Sequence, residues 1–121
     1  AELARFANKL KDTEEIGGTG NMLDNTALLF GSASSAFHLS RNYPMLLLGG
    51  RGMGFKHGQF LKYGQGNEQN QSTAGISTDE GWKGAMDHTE LPLSNLYLTM
   101  LHKLGVETDS FGGSTGTLSE V

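Results

Sequence analysis

Cysteine is absent from the 121-residue sequence, which removes disulfides, thiolate catalysis and cysteine-ligated zinc or iron–sulfur sites. Its absence leaves the compartment open, because a secreted protein with a core of its own needs no disulfide. Basic residues are few and scattered: 9 Lys and Arg against 13 Asp and Glu give a formal charge of −4. Nucleic-acid surfaces cluster Lys and Arg, so no nucleic-acid partner is expected. Long hydrophobic runs are lacking as well. Met45-Leu46-Leu47-Leu48 is far short of the ~20 residues that span a bilayer, and no membrane span is expected. Proline occurs twice, whereas glycine occurs 18 times where average usage gives roughly 8. That balance favours tight turns, and no strict glycine period suggests a collagen.

The hydrophobic spacing supplies a coarse order of elements. Leu3, Phe6, Ala7 and Leu10 fall at i, i+3, i+4 and i+7, which predicts a helix over 2–12. The chain opens directly into that helix with no charged leader, as expected of a segment of something longer. Asn25 to Phe30 and Met45 to Leu48 are short apolar runs bounded by turn residues, the signature of buried strands. Pro44 suits the entrance of the second. A third strand or half-hairpin is expected within Phe55 to Tyr63, and 64–90 reads as a long polar loop. Leu93, Leu96, Tyr97, Met100, Leu101 and Leu104 predict a second helix, closed by Gly105 just past its end. The tail from Asp109 to Val121 is expected to run along a surface. Apolar strands of this kind want cover on both faces of their sheet, more than two helices supply. The missing cover is expected outside these residues.

Several blocks are recognisable together. They are Met22-Leu23-Asp24-Asn25-Thr26 before Leu29-Phe30-Gly31-Ser32, Arg41-Asn42-Tyr43-Pro44 before Leu46-Leu47-Leu48-Gly49-Gly50, and Gly54-Phe55-Lys56-His57-Gly58-Gln59. Leu91-Pro92-Leu93-Ser94-Asn95-Leu96-Tyr97, Leu104-Gly105-Val106 and Asp109-Ser110-Phe111-Gly112-Gly113-Ser114-Thr115-Gly116 complete the set. From about Glu2 to Val121, weakest over 64–90, the chain resembles the C-terminal part of the "domain of unknown function 1552" family. That resemblance implies an exported bacterial protein, several times longer, distantly similar to the alkaline-phosphatase and sulfatase superfamily. The implied fold class is α/β. Residues 1–121 would be the C-terminal strands and helices of one alkaline-phosphatase-like three-layer sandwich, incomplete on their own.

The same resemblance bears on metal chemistry. Superfamily enzymes carry an Asp-His metal-ligand pair after the strand that matches Ala27–Phe30, whereas this chain reads Gly31-Ser32-Ala33-Ser34-Ser35. A further superfamily metal-ligand histidine falls where this chain has His38. A divalent metal is therefore expected only if ligands upstream of this segment join His38, since catalytic zinc typically takes three protein ligands. From the residues alone, His38 reads first as a loop histidine bonded to backbone, ahead of a metal or acid–base role.

Other candidates are local. The Gly49-Gly50-Arg51-Gly52-Met53-Gly54 loop offers backbone N–H groups for an anion, with Arg51, Gly52 and His57 as the candidate anion-binding residues. It lacks both the dinucleotide-binding and the P-loop spacing, so a tight strand connection competes with that reading. Asp87, His88 and Glu90 combine metal or proton-transfer potential with the ordinary chemistry of a helix start. His102 beside Lys103 suits a helix C-terminus, and Ser114 suits a turn. Asn70-Gln71-Ser72 matches a glycosylation sequon, and Trp82 stands alone in the long loop.

No G-x-S-x-G elbow or other nucleophile constellation occurs. Because the Asp-His ligands implied by the resemblance are missing, the expectation is an exported protein of unknown activity with a non-catalytic structural or binding role on a degenerate phosphatase-like fold. The alternatives are a metal-dependent phosphate or sulfate ester hydrolase with most catalytic residues upstream, and a self-assembling surface component. The expected partners are the remainder of a larger polypeptide or neighbouring copies, and an isolated 121-residue chain is expected to be poorly soluble.

Overall fold

The computed structural model describes residues 1–32, 43–63 and 91–121. Helix α1 spans Glu2–Lys11 and helix α2 spans Ser94–Lys103. Strands β1 (Ala27–Gly31) and β2 (Met45–Gly49) form a two-stranded antiparallel sheet. Among the described residues the fold is thus mixed, with helices and a small sheet. The expected third strand is not formed. Residues 55–63 are irregular, with a bend at Gly58, whose φ is 78°.

Register explains how the sheet divides its side chains. Leu28 pairs with Leu48 and Phe30 with Leu46, while Ala27 faces Gly49 and Leu29 faces Leu47. Alternation puts Ala27, Leu29, Met45 and Leu47 on one face, and Leu28, Phe30, Leu46 and Leu48 on the other. Ala27 and Leu47 pack on the small core of Phe55, Leu118 and Val121. On the outer face, Phe30 and Leu46 are each 56% exposed. Cover on both faces was the expectation from the apolar runs, and among the described residues the sheet is covered on one. A two-stranded sheet alone is marginal in water, so its inner face depends on Phe55 and on the tail.

The helices differ in how they are used. On α1 no residue is buried, and Phe6 is 50% exposed although the apolar spacing is as expected. On α2, Leu96 and Met100 of the expected stripe pack on the core, while Leu104 is 53% exposed. The buried residues are Asn95, Leu98 and Thr99, on a neighbouring side of the helix. Gly105, at φ 79°, terminates α2 as read from the sequence. Its N–H bonds His102 O, and Val106 N–H bonds Leu101 O.

The tail runs along the surface as expected, exposed over most of 109–121, but it is anchored at two points. Phe111 and Ser114 close a turn, with Phe111 N–H donating to Ser114 Oγ and Ser114 N–H to Phe111 O. Phe111 also meets Tyr97 edge to face at 5.9 Å. Beyond this turn the chain crosses α2 and buries Leu118 and Val121 to 8% and 5% exposure. Two apolar residues anchor a largely exposed polar tail to the core.

Candidate functional site

In the glycine-rich connection after β2, basic side chains converge on backbone. Gly49 and Gly50 sit at φ 74° and 71°. A Cβ at Gly49 would lie 2.2 Å from Thr26 O, and one at Gly50 2.4 Å from the Phe55 ring. Glycine is therefore required twice over here, by dihedral and by space. Arg51–Met53 then form one 3-10 turn.

The N–H groups of this turn are directed inward. Gly50 donates to Leu23 O at 2.8 Å, Gly52 to Asp24 O at 2.7 Å, and Met53 and Phe55 both to Gly50 O. Gly54 N–H donates to Arg51 O. Gly52 packs so closely on the preceding turn that a Cβ would stand 2.5 Å from Asn25 Oδ1. An anion cradle needs such N–H groups aimed at solvent. With Gly52 and its neighbours donating to carbonyls, the turn offers an anion the exposed Arg51 side chain and little backbone.

Side chains hold the carbonyls of the same turn. His57 Nε2 lies 2.6 Å from Gly49 O, and because a carbonyl only accepts, Nε2 carries the proton. Lys103 Nζ donates to Gly54 O at 2.6 Å and stands 5.2 Å from the Phe55 ring centroid. A cation over an aromatic face contributes roughly 0.5–1 kcal/mol at an exposed site. Arg51 thus lies in the turn, while His57 and Lys103 reach its flanking carbonyls from outside and act as fasteners. His102, its neighbour on α2, bonds Thr108 O at 2.6 Å and ties down the loop after the helix.

His38, Asp87, His88, Glu90, Trp82 and the 70–72 sequon lie outside the described residues. Among the described residues, no group of three or more His, Asp or Glu is placed to hold a metal ion. The candidate metal chemistry therefore rests on residues outside the described ones, His38 with the resemblance and the Asp87, His88 and Glu90 cluster.

A second convergence, on the tail, was not foreseen in the sequence. Tyr63 hydrogen-bonds the Glu120 carboxylate. Partial burial first, then that bond and the carboxylate charge, push the Tyr63 hydroxyl well above its ordinary range. Glu120 is held below the usual carboxylate range by its own backbone N–H first, and by Tyr63 next. Lys56 Nζ reaches Ser119 O at 2.7 Å and Gln59 Nε2 reaches Glu120 O at 2.5 Å. On the α2 side, Thr99 Oγ1 accepts the Leu118 N–H at 2.8 Å while donating to Asn95 O. Asn95 Oδ1 accepts the Thr115 N–H at 2.8 Å, and its Nδ2 donates to Thr115 Oγ1. The partners lie far apart in sequence and follow no motif, so periodicity could not have paired them.

Comparison with protein-family models, with curated proteins and with solved structures gives no match. The geometry stands on its own.

Proposed function

We propose that this chain is the C-terminal part of an exported, non-catalytic structural or binding protein built on a phosphatase-like α/β sandwich. The outer face of the β1–β2 sheet carries this reading. Leu28, Phe30, Leu46 and Leu48 present an all-apolar surface there, with Phe30 and Leu46 over half exposed. Sheets with apolar residues on both faces belong to layered folds in which helices cover each side. Covering that face with further layers of a larger domain would remove the exposed Phe30 and Leu46 from water, at about 25 cal/mol per Å² of apolar area.

Two further observations support the non-catalytic part. The segment after β1 begins Ser32-Ala33-Ser34-Ser35, without the Asp-His pair that the resemblance would require for metal. The turn that carries Arg51, Gly52 and His57 uses its polar groups to brace itself.

Elemental analysis of the intact protein tests the reading. Metal at background level is the expected result. Stoichiometric divalent metal, together with ester-hydrolase activity lost in His38→Ala, would replace it with the hydrolase.

A further inference from the structure

We draw no further inference here: the strongest candidate, the apolar face of helix α1 along Leu3, Phe6 and Leu10, on which no residue is buried, carries nothing because nothing in the structure shows what covers it.

Discussion

Replacing Thr99 by valine removes one hydroxyl from a side chain that is 5% exposed and changes its shape little. That hydroxyl accepts Leu118 N–H at 2.8 Å and donates to Asn95 O at 2.8 Å. Asn95 O is a helix carbonyl and loses only an additional partner. Leu118 N–H, beside a buried leucine, loses the partner that satisfies it. An unsatisfied buried donor costs about 1–3 kcal/mol, and at 1.4 kcal/mol per tenfold this becomes a roughly 5- to 100-fold rise in local opening. Hydrogen-exchange mass spectrometry reads that rise on fragments covering 112–121, and it separates the tail from a fusion partner. Thr99→Ser keeps the hydroxyl and should shift exchange much less. Exchange of the tail within twofold of the unaltered chain in Thr99→Val, or an equal effect from Thr99→Ser, would refute the reasoning.

Further outcomes follow from the same geometry. Gly49→Ala should cost about 3 kcal/mol or more, because positive φ strain adds to a collision with the Thr26 carbonyl. Gly58→Ala, at φ 78° but in open space, should cost only about 1–2 kcal/mol. Exchange protection in β1 and β2 checks both. For Glu120, whose folded pKa is lowered, the stabilising contribution is present above the unfolded carboxylate value and is lost as acid titrates the folded state. Tail protection should therefore fall with pH below about 4.5, and Glu120→Gln should flatten that fall. For Tyr63, whose folded pKa is raised, the contribution is complete below pH 10.0 and fades as pH rises beyond it. The phenolate absorbance lost in Tyr63→Phe should appear only above that pH. On the outer sheet face, Phe30→Ser with Leu46→Thr should raise the soluble yield of the isolated chain, because both side chains are already over half exposed.

Much of the backbone was legible in the sequence, for reasons that can be named. Leu3, Phe6, Ala7 and Leu10 carry a 3.6-residue period, and α1 forms across them. The two apolar runs became β1 and β2, bounded by the glycines at positions 31 and 49. Gly105 marked the end of α2. The third strand failed because Phe55 is pulled into the core by Gly50 while Gly58 turns the chain, leaving Phe60 91% exposed. Hydrophobicity cannot report either event. The surface path of the tail was legible, but its anchoring was not. Its composition is polar, yet Asn95 and Thr99, polar themselves, are buried because they bind its backbone. For the candidate site, sequence spacing brought Arg51, Gly52 and His57 to one turn, but not the inward direction of its N–H groups. That direction is set by Leu23 and Asp24 carbonyls from before β1, a tertiary contact without a local signature.

The exposed Phe30 and Leu46 give the account its central claim, that this chain is completed by further layers of a larger domain. The intact mass of the protein from its native source, measured under denaturing conditions, tests this most directly. The account predicts a mass several times 13.0 kDa. A mass near 13.0 kDa would contradict it, and leave pairing between copies to cover the sheet.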